Sequence, residues 1–242
     1  MISVNSFGMS DIGKVRTENQ DSFLIDKNIG VYIVADGMGG MVDGAKASKF
    51  VTNAMKRYIE ENFNFDLRKN VRYVIRLLRK GINLVNNELK KTITTKTGST
   101  IVVLVHIDEK FYIANVGDSL AFGIRDDQII QLTPEHNLAW VLVMLEKLKP
   151  EEVKDHPAKH SLTAYMGMEG EIEAYVNIIK PENNDYVLLC SDGLTGMTSQ
   201  EDIVNIIHKC GDIQTAVKEL ITKANNAGGT DNITIILLKV TK

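Results

Sequence analysis

The chain has 242 residues, of which 44% are hydrophobic and 24% are charged, and its formal net charge is -3. This length can bury a full core, and the weak acidic charge gives no overall field that would favour nucleic acid or an anionic membrane. No Pro-, Gly- or Ser-rich linker divides the sequence, so we expect one domain over residues 1–242.

The sequence carries no signal for export or membrane insertion. Its apolar runs are too short to span a bilayer, and the N-terminus lacks the basic-then-apolar layout of a signal peptide. We therefore expect a cytoplasmic protein. Cys190 lies in an apolar strand and Cys210 near the end of a predicted helix, and in a reducing compartment both should be free thiols.

Hydrophobic periodicity in the first part of the chain predicts two strands followed by two long helices. Runs rich in Val, Ile and Tyr predict strands at 22–26 and 31–35. Apolar residues then recur at helical spacing from Ala47 to Ile59 and from Val71 to Leu89. Both helices should lay one face on a sheet.

The middle of the chain is predicted to be strand-rich, at 99–107, 110–116, 120–124 and 128–132. The gaps near Asp108 and Asp126 are hairpin-sized, so neighbouring strands should pair antiparallel. Residues 138–160 break this pattern with the helical stretch LAWVLVMLEKL and a short acidic helix after Pro150. We interpret this segment as an insertion over the sheet edge.

The last third is predicted to contain strands at 174–179 and 185–190, a helix from Ile213 to Ala224 and a final strand ITIILLKV. Two antiparallel sheets packed face to face, with helix pairs outside, would bury all these apolar faces. The predicted fold class is therefore α+β, as a four-layer α-β-β-α sandwich.

Four aspartates lie at the end of a β-like run or in a glycine-rich turn: Asp36, Asp118, Asp192 and Asp231. A carboxylate against an apolar strand carries a large desolvation cost unless a cation neutralises it. One such residue is usually part of an ordinary turn, but four indicate a shared metal site. Mg²⁺ and Mn²⁺ prefer oxygen ligands, and the Gly37 carbonyl could complete the set.

A pair of such ions predicts a reaction class. Two cations can activate a water and stabilise an in-line displacement at phosphorus, which is phosphate ester hydrolysis. Arg16 is the candidate clamp for the phosphoryl oxygens, because a guanidinium binds two of them at once. Asp21 follows on the approach to the same strand.

An ordered series of motifs resembles a known family: RTENQDSF, VADGMGG, GST, NVGDS, LTPEH, HPAKHSLT, LLCSDGLT and GGTDNITI. They resemble the bacterial stand-alone form of the metal-dependent serine/threonine protein phosphatases of type 2C (PPM). The resemblance implies the sandwich fold, two Mn²⁺ or Mg²⁺ ions per site, and hydrolysis of phosphoserine and phosphothreonine in proteins.

The resemblance also implies roles for individual residues. Asp36 would bridge both ions, with Gly37 supplying a carbonyl to one, and Asp192 and Asp231 completing the other. Asp21 and Gln20 would act through metal-bound water, and Asp118 would hold a third, weaker metal. Arg16 would bind phosphate, and the insertion would form a flap subdomain over about 138–167.

Several positions depart from the family pattern, namely Leu120, Met41, Lys46, Glu135 and Ala164. None removes an expected metal ligand, and they bear on the third metal, the flap and the substrate. Met38 stands where animal relatives have a proposed acid histidine, so metal-bound water or solvent is expected to protonate the leaving group. The five histidines are then expected to be surface or packing residues: His106, His136, His156, His160 and His208.

The implied partners are phosphoserine and phosphothreonine proteins and a cognate Ser/Thr kinase, with no nucleic acid, no membrane and a monomeric state. An alternative is a catalytically weak or silent phosphoprotein-binding module of the same fold, motivated by the departures at Leu120, Lys46 and Ala164. A two-metal nuclease is a third option, disfavoured by the acidic charge and the lack of a basic groove signal. No GxxxxGK run supports a P-loop.

Overall fold

The computed structural model describes residues 2–39, 43–93, 95 and 97–241. The strands in these ranges are β1 Ser3–Asp11, β2 Asp21–Asp26, β3 Val31–Met38, β4 Gly98–Ser99, β5 Ile101–Ile107, β6 Lys110–Val116, β7 Leu120–Arg125, β8 Gln128–Gln131, β9 Tyr175–Ile179, β10 Tyr186–Cys190 and β11 Ile233–Thr241. The α-helices are α1 Asp43–Asn62, α2 Val71–Thr92, α3 Leu138–Met144, α4 Asp192–Thr195, α5 Gln200–Cys210 and α6 Ile213–Asn226. Short 3₁₀ helices span Phe65–Leu67, Pro150–Asp155 and Pro157–His160.

The strands form two antiparallel sheets. The first has the order β1-β11-β10-β7-β8, and the second has the order β2-β3-β5-β6-β9, with β4 paired to β3. The expected hairpins join β5 to β6 and β7 to β8. The expectation that neighbouring strands pair was wrong between β6 and β7, because the chain crosses there from one sheet to the other, with Gly117 at a φ of +106°.

Alternation along β3 shows how the layers form. Val31 and Ile33 pack with apolar residues of α1 and α2, whereas Tyr32 and Val34 face the interior between the two sheets. On the other sheet, Leu237 packs against α5 and α6. Because side chains of a strand alternate between its faces, each sheet covers one helix pair and the other sheet. The predicted α-β-β-α sandwich is confirmed.

Two strands differ from the sequence-based prediction. β1 was not predicted, because SVNSFGMSD is poor in β-branched residues, yet its nine residues pair along β11 at the sheet edge. The predicted strand 99–107 is interrupted at Thr100, which separates β4 from β5. This interruption lies beside Asp36, since the Thr100 amide donates to the Asp36 carbonyl at 2.8 Å.

The predicted insertion leaves and rejoins the fold at one place. Asn137 and Leu162 form an isolated antiparallel bridge, and the Leu138 amide donates to the Ser161 carbonyl at 2.9 Å. The predicted helix is shorter than its apolar pattern, ending at Met144 just before Glu146 takes a positive φ of 55°. In the described ranges, no helix combines the length and the apolar character needed to cross a bilayer.

Candidate metal centre

The first two carboxylates are positioned by one strand pair. The register of β2 and β3 places Asp21 directly opposite Asp36, and directly opposite residues of antiparallel strands share a face. Thr100 fixes the Asp36 backbone from both sides, because its Oγ1 accepts from the Asp36 amide at 2.9 Å and its own amide donates to the Asp36 carbonyl. The Asp36 carboxyl group is thus held on a rigid strand.

Glycine at position 37 allows α1 to approach this strand. A Cβ on Gly37 would lie 2.1 Å from the carbonyl oxygen of Gly44, at the start of α1. The Gly37 amide donates to the Gln20 carbonyl at 3.1 Å, and the same carbonyl accepts from Ser48 Oγ at 2.6 Å. The Gln20 backbone therefore ties β2, β3 and α1 together beside Asp36.

The other two central aspartates come from the opposite sheet. Asp192 begins α4 two residues after the last residue of β10, and Asp231 lies two residues before β11, which pairs antiparallel with β10. Their loops touch closely, since a Cβ on Gly193 would lie 2.0 Å from the Asn232 carbonyl oxygen. The two sheets therefore contribute carboxylates at the same end of the sandwich.

One pocket of about 330 Å³ collects the predicted site residues. Its lining includes Arg16, Gln20, Asp36, Gly37, Asp118, Asp192 and Asp231. Asp21 does not line the pocket. Its Oδ1 is buried, and its Oδ2 accepts from Ser191 Oγ at 2.8 Å. The individual roles of the pocket-lining residues and of Asp21 in metal binding remain predictions.

Crowding of carboxyl groups dominates the electrostatics. Burial, followed by the charges of Asp21 and Asp192, raises the pKa of Asp36 well above its ordinary value. Burial and then the Asp192 charge raise the pKa of Asp118 to about 8. Burial raises the pKa of Asp21 to about 7, against hydrogen bonds from Thr234 and Ser191. Such a cluster needs protons or cations to be stable.

The donor set fits a divalent cation. Asp21 Oδ1 and Asp192 Oδ1 are buried without a hydrogen-bond partner in the described part of the chain. Burial and then the neighbouring carboxylates raise the pKa of Asp36, so the crowded carboxyl groups hold a proton when no cation is bound. A divalent cation would replace that proton and use the unsatisfied oxygens, which are the hard donors that Mg²⁺ and Mn²⁺ prefer.

One of these carboxylates, Asp231, is already paired with another protein side chain. Among the described residues, no three His, Cys, Asp or Glu side chains form a cluster that would already hold a metal. Asp231 Oδ2 instead accepts from Arg16 Nη2 at 2.7 Å, and this hydrogen bond is the main reason that the pKa of Arg16 is raised. A cation bound by Asp231 would therefore compete with Arg16 for this carboxylate.

Asn232 anchors the loop that carries Arg16, and the sequence analysis missed it. Its Nδ2 donates to the carbonyls of Ile12 at 2.9 Å and Glu18 at 3.0 Å, and its Oδ1 accepts from the Gln20 amide at 2.8 Å. The one available signal was its place directly after Asp231.

Two histidines lie near the predicted metal ligands, one in the pocket lining and one beside Asp118. His160, expected to be a surface or packing residue, lines the pocket together with Asp192. His136 packs on the sheet crossing beside Asp118, where its Nδ1 accepts from the Gly117 amide at 3.1 Å and its own amide donates to the Gly117 carbonyl at 2.9 Å.

The described departures from the family pattern do not line this pocket, but Leu120 and Glu135 line an adjoining cavity of about 510 Å³ that shares Asp118, Asp192 and Asp231 with it. Leu120 is buried in the core, Lys46 pairs with Asp43 at 3.4 Å, and Glu135 accepts from Asn137 Nδ2 at 2.8 Å. Ala164 packs partly buried against the helix-covered core. Met41 is outside the described residues. Both cysteines are free thiols, as expected.

Comparison with known proteins gives a consistent result. The protein phosphatase 2C family model matches residues 13–224. The serine/threonine phosphatase stp of Listeria welshimeri is 31% identical over 95% of this chain and 93% of its own length. The protein phosphatase PhpP of Streptococcus pneumoniae is 32% identical over 96% of both chains.

The fold agrees with these relatives. The structure of the S. agalactiae serine/threonine phosphatase superposes with a TM-score of 0.89 at 29% identity, covering 98% of this chain and 99% of that one. Fold and comparisons together define a protein phosphatase. The chain belongs to the protein phosphatase 2C family, and the expectation drawn from its motifs is confirmed.

Proposed function

We propose that this protein hydrolyses phosphoserine and phosphothreonine in proteins with two Mn²⁺ or Mg²⁺ ions. The observation that carries the proposal is the convergence of Asp36, Asp192 and Asp231, from two different sheets, on one pocket beside Arg16. When bound, the ions would activate a water and neutralise charge on the phosphoryl group.

The residues that would hold the ions follow from their positions. Asp36, on the rigid β3 strand, would contact both ions, with the Gly37 carbonyl, Asp192 and Asp231 as the remaining protein ligands. Asp21 and Gln20 would hold ordered water behind them. Asp118, on the sheet crossing, would contribute to a third, weaker site.

Arg16 would bind the phosphoryl group. Its side chain is 53% exposed, and it now pairs with Asp231. With Asp231 serving as a metal ligand, the Arg16 guanidinium would be free to bind two phosphoryl oxygens in a bidentate manner. Arg16 would thus orient the substrate phosphorus towards the carboxylate cluster.

Substrates and setting form the finer part of the proposal. We infer that the substrates are targets of a cognate bacterial Ser/Thr kinase, and that the protein acts as a cytoplasmic monomer. The flap subdomain, about 138–167, would border substrate access, which is supported by His160 and Leu162 in the pocket lining. Met38 offers no proton after the Asp36–Gly37 pair, so solvent would protonate the leaving alkoxide.

The test is phosphate release from p-nitrophenyl phosphate and from a phosphothreonine peptide. Turnover should require Mn²⁺ or Mg²⁺, and Asp36→Asn and Asp192→Asn should each lower kcat at least about 100-fold, because each removes a ligand charge. Asp127→Asn is the matched control, since its side chain is 98% exposed and does not line the pocket.

Two results would contradict the proposal. The first is metal-independent turnover. The second is phosphopeptide binding without turnover in the metal-loaded protein, which would favour the silent binding module.

A further inference from the structure

The outer face of α2 carries a basic groove of about 510 Å³. Arg72, Arg76, Arg79 and Lys80 line it together with Ile75, Asn83 and Glu171. We call these seven residues the basic groove. No such groove was expected from the sequence, although arginine and lysine recur there at helical spacing. The groove shares no lining residue with the carboxylate pocket, so it gives no support to a nuclease.

Glu171 is an acidic residue of the basic groove, but within the described part of the chain none of the four cations makes an ion pair with it or with another carboxylate. Other basic residues of the same region do have partners: Arg57 with Glu88, Arg68 with Asp108, and Lys90 with Glu169. Basic residues around α2 therefore commonly form ion pairs with carboxylates of the protein, whereas the four cations of the basic groove do not.

These charges oppose the stability of the helix that carries them. Arg72, Arg76 and Lys80 follow each other at four-residue spacing, where like charges repel. Arg72 also lies in the first turn, which has no acidic residue and where the helix dipole disfavours a cation. The buried face of α2, including Val74, Leu78 and Ile82, packs without them. The four cations thus contribute nothing to folding that would explain their clustering.

The shape and chemistry of the groove point to one kind of occupant. From Arg72 to Lys80 the helix rises about 12 Å, the length of roughly four residues of extended chain. The groove is shallow and open, and Ile75 provides an apolar contact between the basic side chains, which suits a short polypeptide segment that carries both apolar and acidic side chains. Guanidinium groups bind carboxylates in a bidentate manner. A nucleic acid is disfavoured because the chain has a formal net charge of -3 and so provides no overall field that attracts a polyanion.

We propose that the basic groove docks an acidic polypeptide segment of a partner protein. Since groove and carboxylate pocket have no residue in common, both can be occupied at once. The groove would then hold a partner at a site separate from the phosphorylated residue. This inference does not depend on the catalytic proposal, because binding is measured directly.

The test measures binding of a fluorescein-labelled deca-glutamate peptide by fluorescence anisotropy at low ionic strength. The Arg76→Glu/Arg79→Glu variant should bind roughly tenfold more weakly than the wild type, because two attractive charges become repulsive. The matched control is Lys27→Glu/Lys218→Glu, which makes the same change in net charge at two exposed positions outside the groove. The control should keep wild-type affinity within about twofold. Unchanged p-nitrophenyl phosphate turnover in both variants, or equal melting temperatures, verifies folding.

Three outcomes would overturn the proposal. The wild type could fail to bind the peptide, or both double variants could lose affinity equally, which would indicate general charge attraction. Groove-dependent binding to phosphatidylglycerol vesicles or to single-stranded DNA, with none to the peptide, would assign the surface to another class of partner.

Discussion

At the scale of single residues, some groups of the candidate metal centre could be predicted from the sequence and others could not. Asp36, Asp192 and Asp231 could be predicted because several aspartates at strand ends or in glycine-rich turns together indicate a shared site, although one alone would not. Asn232 and Ser191 could not, because amides and hydroxyls are common in loops and only the fold shows what they bind. Ser191 donates to Asp21, and Asn232 ties down the Arg16 loop.

Loss of Asn232 should therefore impair phosphate binding. Asn232→Ala removes hydrogen bonds to Ile12, Glu18 and Gln20, and we expect it to lower the free energy of unfolding by about 2 kcal/mol. The KM for a phosphopeptide should rise more than kcat falls, because Arg16 loses its position. Denaturant unfolding and steady-state kinetics check this, with Asn87→Ala on the exposed side of α2 as control. Unchanged KM would show that the Arg16 loop holds its place without Asn232.

At the scale of elements, periodicity predicted the long helices and most strands, since buried apolar faces leave a clear pattern. It failed where local patterns carry little information. β1 is a polar edge strand held by pairing with β11, and the break at Thr100 is imposed by its bonds to Asp36. The crossing from β6 to β7 could not be predicted, because a short loop does not show whether the next strand joins the same sheet or the other one.

The packing of α1 on β3 gives a prediction at this scale. Gly37→Ala would place a Cβ 2.1 Å from the Gly44 carbonyl oxygen, so backbone must move, and we expect a loss of about 2–3 kcal/mol in the free energy of unfolding. Activity should fall with it, because Asp36 is adjacent. Gly123→Ala is the matched control. Its Cβ would meet Leu132 at an ordinary 3.5 Å, and it should cost less than about 1 kcal/mol.

Equal unfolding free energies for Gly37→Ala and Gly123→Ala would mean that α1 can shift away from β3 at little cost. The close approach of these elements would then not be what positions Asp36.

At the scale of the whole molecule, the carboxylate cluster sets how stability depends on pH. The pKa values of Asp21 and Asp118 in the folded protein are about 7 and about 8, above the ordinary value of 3.8. Between about pH 4 and pH 8 the metal-free folded state binds more protons than the unfolded state, so the stability of the folded state falls as pH rises. A bound divalent cation would remove this dependence by replacing the protons.

Thermal unfolding in EDTA at pH 5 and pH 8 measures this effect. The wild type should lose stability at the higher pH, and Asp118→Asn should lose less, by at least about 1 kcal/mol, because one buried titrating group is gone. Saturating Mn²⁺ should restore the wild type at pH 8. Identical pH profiles for wild type and Asp118→Asn would show that Asp118 does not titrate as described.

The central claim is that carboxylates from both sheets enclose two metal ions, and anomalous diffraction from crystals grown with MnCl₂ tests it most directly. We predict two manganese peaks about 4 Å apart in the pocket between Asp36, Asp192 and Asp231, and the loss of both in Asp36→Asn. Saturating manganese that gives no peak there, or peaks only elsewhere on the molecule, would contradict the account.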